Sequence, residues 1–183
     1  MPLDQLARGA YLLGPEIILI LFGFGIILID LFLLKPGASR RWLSYLALVG
    51  VGLSAVSTVM LGLGQEETGF GGFLSIDAFS VFFKYLFLLA TALVILAAGP
   101  FLVRDREHEA EFYGLLLITT VGLNLMAAAS ELMSIYLALE ISSLSLAFLA
   151  AWGHRDLKSK EAGLKFFVLS SLSSALQIGR AHV

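Results

Sequence analysis

The chain has 183 residues, 58% of them hydrophobic and 14% charged, with a formal net charge of −2 and a mean hydropathy of +0.91. Water-soluble domains carry about 25% charged residues, so this composition argues against a soluble globular fold and for a chain whose solvent is lipid. With no cysteine there is no disulfide framework, thiolate nucleophile or thiolate site for zinc or an iron–sulfur cluster; if electrons are involved, another chain carries them.

Six apolar stretches follow in order. The first runs from about Pro15 to Leu34, opened by Pro15 and Glu16 as good first-turn residues. It lacks a basic leader and a small-residue cleavage motif and carries Asp30 near its end, so it reads as a true span rather than a signal peptide. Lys35–Arg41 is a loop by its Pro, Gly, Ser and charges. The second stretch covers Trp42 to about Leu63, with Trp42 as an interfacial anchor. Gln65–Asp77 is Gly-rich and acidic, a loop ending in Asp77 as an N-cap; within it Gly69–Gly72 reads as flexible linker, since no phosphate-binding Lys follows. The third stretch covers Ala78 to Ala98, stopped by Gly99 and Pro100. Charged Arg104–Glu111 leads into a fourth at about Phe112–Ala129, Ser130 makes a tight turn, and the fifth is Leu132–Trp152. After Gly153–Lys160 the sixth begins near Glu161 and runs to about Gln177.

The basic residues set an orientation. Loops after the odd-numbered spans hold Lys35, Arg40, Arg41, Arg104, Arg106, Arg155, Lys158 and Lys160, whereas the N-terminal segment and the other loops hold only Arg8. The positive-inside rule therefore puts the N-terminus outside. The fold class expected is an all-α polytopic bundle of six transmembrane spans over residues 1–177. Ile178–Val183 reads as a non-native tail, because its sequence matches the translation of a common sequencing adapter and interrupts the sixth span.

Glu140 is the chain's most demanding residue, near the middle of the fifth span. A carboxylate at mid-membrane costs about 2.5–3.5 kcal/mol on insertion scales, and each Leu, Ile or Phe returns only about 0.3–0.6 kcal/mol. At 100° per residue Tyr136, Ser143 and Ala147 share its face, while Ser134, Ala138, Ser142 and Ser145 lie roughly opposite, a small-residue stripe suited to close helix packing. Two readings stand: a proton-relay acid, since intramembrane acids are so often functional, or a structural carboxylate paired with a neighbour.

Lys165 lies one turn after Glu161, and either joins a relay or snorkels to the surface. Lys84 lies deeper, about 10 Å of helix rise past Asp77, and either snorkels outward or pairs with a buried acid on another span. Asp30 is read as interfacial. Thr120 and Asn124 lie one turn apart on the fourth span; Thr120 falls at the depth of Glu140 and either bonds it or bonds back to its own helix. His108, His154 and His182 have no metal-ligand spacing, and no nucleotide fold, hydrolytic triad or nucleic-acid patch is present.

Ser75–Lys84, Glu111–Trp152 and Glu161–Ala175, above all the Glu-centred fifth span and the Lys-Phe-Phe motif of the sixth, resemble the antiporter-like membrane subunits of respiratory complex I. That resemblance implies many more spans than six, in inverted repeats with broken helices. It assigns Glu140 the role of the family's key acid, paired with a lysine on a seventh span that lies outside this sequence, and it matches Lys165 to a recurrent basic residue of the sixth span. It further implies a multi-pass subunit of a bacterial plasma (inner) membrane, surrounded by lipid and other complex I membrane subunits and handling protons. NADH, flavin mononucleotide, iron–sulfur clusters and quinone would be bound by those partner subunits, with no cofactor or metal here. The catalytic set this implies is Glu140 with Lys165, and Lys84 stands beside them as a further candidate from the residue reading alone. A subunit of a multisubunit cation/proton antiporter or a membrane-bound hydrogenase, and a non-catalytic scaffold, are the alternatives.

Overall fold

The computed structural model describes residues 9–33, 40, 42–62, 67–102, 108–153 and 156–180. Lipid offers no water to backbone N–H and C=O groups, so an apolar chain must satisfy them internally, and the helix does so locally. The described residues accordingly form six long helices: α1 Gly14–Leu33, α2 Trp42–Gly62, α3 Ala78–Leu102, α4 Glu109–Ala128, α5 Leu132–Ala150 and α6 Leu157–Arg180. Five of them, α1 to α5, are long and apolar enough to cross a membrane. The sixth has 24 residues, a rise of about 36 Å, and opens on polar turns carrying Lys158, Lys160, Glu161 and Lys165. This is a membrane protein, with the helices in the order its apolar runs indicate.

Several boundaries differ from the sequence reading, each for a local reason. Residues 9–12 are already helical and lead into α1, through bonds from Leu13 N–H to Gly9 O and from Ile17 N–H to Leu13 O. Helix α3 does not stop at Ala98 but continues through Gly99 and Pro100 to Leu102. Proline so near the end forfeits one backbone bond and no more. Helix α4 starts at Glu109 rather than Phe112, with Glu109 and Glu111 in its first turn favouring the helix dipole. Helix α6 starts at Leu157, where Asp156 Oδ1 accepts from Lys158 N–H.

The Gly-rich segment is not a linker. Glu67–Gly69 (β1) and Leu74–Ile76 (β2) form an antiparallel hairpin with Thr68 opposite Ser75. Its turn uses left-handed backbone at Phe70 (φ 53°) and Gly72 (φ 103°), which accounts for the glycine at 72, while a Cβ on Gly69 would lie 2.7 Å from Leu12 Cδ1. Leu74 bridges to Ala129, and Ser130 N–H donates to Phe73 O at 3.1 Å, tying the hairpin to the α4–α5 turn. Asp77 does cap α3: Ser80 N–H donates to Asp77 Oδ1 at 2.7 Å, and Asp77 N–H to Ser80 Oγ at 2.9 Å.

Helices α1, α2, α3 and α4 form a four-membered ring with a shared apolar interior that includes Leu19, Ile26, Val51, Leu88, Ile95 and Leu117. Helix α5 packs on α4, and α6 on α5. The end away from the hairpin is pinned by Trp152, whose ring meets Phe101 and Phe112 and whose indole N–H donates to His108 O at 3.2 Å. The stripe opposite Glu140 brings α5 into backbone contact with α4. A Cβ on Gly122 would lie 2.6 Å from Ser142 N and 2.9 Å from Ala138 O. The expected loops at 35–41 and 104–107 lie outside the described residues except at Arg40, as do Arg8, His154, Arg155, His182 and residues 181–183 of the expected tail.

Gly122→Ala is expected to destabilise the α4–α5 pair by about 1–3 kcal/mol, because the clash is with backbone that cannot yield. Gly52→Ala, where nothing lies within 4 Å, is expected to be neutral or mildly stabilising. Melting midpoints of the two variants in detergent distinguish them.

Candidate functional site

On α5, Ala138, Ser142 and Ser145 are buried against the α4 side at 2%, 6% and 5% exposure. Glu140 lies round the helix from them, on the side that meets α6. Ala147 shares that side: a Cβ on Gly163 of α6 would lie 2.8 Å from Ala147 O and 2.4 Å from Ala151 Cβ. Glu140 Oε1 is buried and accepts no hydrogen bond among the described residues. Ser143 Oγ donates to the Glu140 carbonyl at 3.3 Å, not to its carboxylate. From the Gly163 contact, the antiparallel run of α5 and α6 brings Ser174 to within about one turn of the Glu140 level. Ser174 Oγ is likewise buried without a hydrogen-bond partner. The α5–α6 seam thus holds a carboxylate oxygen and a hydroxyl that no other protein group claims.

Thr120 does lie near the depth of Glu140, since Gly122 stands against Ala138 and Ser142. Its hydroxyl, however, bonds back to Leu116 O at 2.9 Å and meets Thr91 Oγ1 of α3 at 2.7 Å. It faces the four-helix ring, on the far side of α4 from Glu140. Lys165 meets Glu161 at 2.6 Å in a pair that is 69% and 62% exposed. It sits about 10 Å along the axis from the Glu140 level, away from the hairpin end. Asp30 pairs with Arg40.

Lys84 takes the inward alternative. Its Nζ lies 2.8 Å from Glu16 Oε1, with the two side chains 1% and 2% exposed. Glu16 is a residue that sequence reasoning saw only as a first-turn acid. The missed signal is the helical turn at residues 9–12, which puts Glu16 about two turns inside a longer helix rather than at its mouth. The structure therefore separates the candidate residues: Glu140 on the α5–α6 seam, Lys165 on the exposed start of α6, and Lys84 inside the α1–α4 ring.

A buried ion pair is costly to break because the survivor keeps its charge. Glu16→Gln alone is expected to destabilise the subunit by about 3–5 kcal/mol, whereas the joint change Glu16→Gln/Lys84→Met is expected to cost much less. Thermal midpoints of the three proteins check this.

Residues 129–178 match the family described as NADH:quinone oxidoreductase/Mrp antiporter, transmembrane. The chain is 39% identical over 163 residues to NADH-quinone oxidoreductase subunit N of Trichlorobacter lovleyi, covering 87% of this chain and 32% of that protein. It is 36% identical over 173 residues to F(420)H(2) dehydrogenase subunit N of Methanosarcina mazei, covering 91% of this chain and 34% of that protein. Among solved structures, a chain of respiratory complex I from Thermus thermophilus with bound aureothin matches at a TM-score of 0.69 and 30% identity, over 88% of this chain and 34% of that one. The chain spans about a third of the length of the relatives it matches. Through residues 129–178 by the family match, and over most of its length by these relatives, the chain is similar to the antiporter-like membrane subunits of NADH:quinone oxidoreductase, and among them to subunit N.

Proposed function

We propose that this chain is part of a proton-translocating subunit of a bacterial inner-membrane NADH–quinone oxidoreductase, with Glu140 as the acid that takes up and releases the proton. The observation that carries this reading is the Glu140 carboxylate oxygen, buried near mid-span with no hydrogen-bond donor aimed at it. An oxygen so placed can accept a proton without first breaking a protein contact. In a medium of effective dielectric constant near 20, moving a cation from about 4 to about 7 Å from a carboxylate weakens their attraction by about 2 kcal/mol. A charge that shifts beside Glu140 therefore changes how strongly its carboxylate holds a proton.

The cation implied by the family is a lysine on a seventh span, outside this sequence. Lys165 is the ammonium of α6 nearest to the seam along the chain, and hands protons between Glu140 and the cytoplasmic side. Lys84, held by Glu16, takes no part in this relay. The N-terminus faces outside, and neighbouring membrane subunits and lipid cover the apolar outer faces. Oxidation of NADH through flavin and iron–sulfur clusters, and quinone reduction, belong to partner subunits; these 183 residues contain no cysteine to ligate a cluster.

The match to an F(420)H(2) dehydrogenase subunit favours a second reading, in which the same helices serve a complex with a different electron donor. Donor oxidation by the purified complex separates the two. For the relay, Glu140→Gln in the full-length subunit of the assembled complex is expected to lower proton pumping at least about tenfold, against the about 100- to 10,000-fold that a positioned proton-transfer group contributes. Assembly should be retained. Pumping and coupled quinone reduction at wild-type rates would remove Glu140 from the mechanism.

A further inference from the structure

The α1–α4 ring holds a second polar centre that the relay does not use. Its members are Glu16 and Lys84, already described, and Asn124 of α4, which is 0% exposed with neither amide atom hydrogen-bonded. Their levels lie within about one turn of one another. Gly23 of α1 packs against Leu117 of α4, where an added Cβ would lie 3.5 Å from Leu117 Cβ. Glu16 and Asn124 each lie seven residues from that contact, about 10 Å, toward the hairpin end. On α3, Lys84 lies seven residues from the Thr91–Thr120 contact in the same direction, while Asn124 lies four residues from it on α4. All three side chains point into the ring, as their burial shows.

The layer's hydrogen-bond capacity far exceeds what its residues give one another. An ammonium has three donors, a carboxylate about four acceptor sites, and an amide two donors and two acceptor sites. Against this the described residues supply one ion contact, Lys84 Nζ to Glu16 Oε1, and among them no well-directed hydrogen bond reaches either Glu16 oxygen. The α2 wall adds acceptors: Ser54 Oγ donates to Pro15 O at 3.0 Å and Thr58 Oγ1 to Ser54 O at 2.9 Å, leaving both hydroxyl oxygens free to accept. A buried charge pair is stable only when its remaining sites are bonded. Water both donates and accepts, and buried waters sit where two to four polar groups converge.

We propose that Glu16, Lys84 and Asn124 form an internal water-binding site inside the α1–α4 ring, separate from Glu140, in which water links the Asn124 amide to the ion pair. The site does not depend on the relay.

The test uses the full-length subunit in its assembled membrane complex. Asn124→Leu, close in size and apolar, is made in the wild-type background and in Glu16→Gln/Lys84→Met. The expected result is a midpoint temperature lowered by several degrees in the first background and little changed or raised in the second, with ordered water density bridging the three residues in a high-resolution map of the wild type. An equal shift in both backgrounds, no shift in either, or a map without that density would overturn the proposal. Should the leucine variant not assemble, Asn124→Ser is compared with Asn124→Ala. Serine, which can bind a replacement water, should recover stability that alanine does not, and equal behaviour would equally overturn the site.

Discussion

The low dielectric of the hydrocarbon layer is the constraint from which the rest of this structure follows. It forces the backbone into helices, and it makes every buried charge an obligation to find a partner. Glu16 and Lys84 meet it by pairing at 2.8 Å across the ring of the first four helices. Glu140 meets it differently, by lying on a seam where its carboxylate has one oxygen that no protein group engages. The contrast is the basis for assigning the two sites different work. A carboxylate in contact with a buried ammonium fixes geometry; one with no cation against it among the described residues can change protonation.

Helix α4 connects the two. One side carries Thr120 and Asn124 into the ring, and the other presents Gly122 to the small residues of α5. Because Gly122 has no side chain, α5 comes within backbone contact, which turns Glu140 away from α4 and toward α6. The hairpin at β1–β2 holds the α4–α5 turn through Leu74 and the Phe73 carbonyl, so the depth of Glu140 is set from its end as well as from its face. Sequence separation along two antiparallel helices then becomes a ruler, and Thr120 and Glu140 share a level while facing different compartments of the fold.

The helices were legible in the sequence because lipid selects long apolar runs, and the basic residues punctuate them in alternation. The packing stripe Ala138, Ser142, Ser145 was legible for the same reason, as a period of small residues. Glu140 was legible as an expense. What could not be read was anything that depended on a neighbour. Glu16 looked like a helix opener because the turn at residues 9–12 precedes a proline and a glycine that ordinarily mark a start. The hairpin looked like a linker because its glycines read as flexibility, whereas Gly72 serves a left-handed turn and Gly69 a close approach to Leu12. The direction of Thr120 depended on Thr91, 29 positions away.

The proposed relay turns on Glu140 changing its protonation while the complex works. Redox-induced infrared difference spectra of the assembled complex, recorded with wild-type full-length subunit and with Glu140→Gln, test it directly. A carboxylic C=O band that appears or shifts on reduction in the wild type and is missing from the variant is the predicted result. Superimposable spectra in the carboxyl region would contradict it.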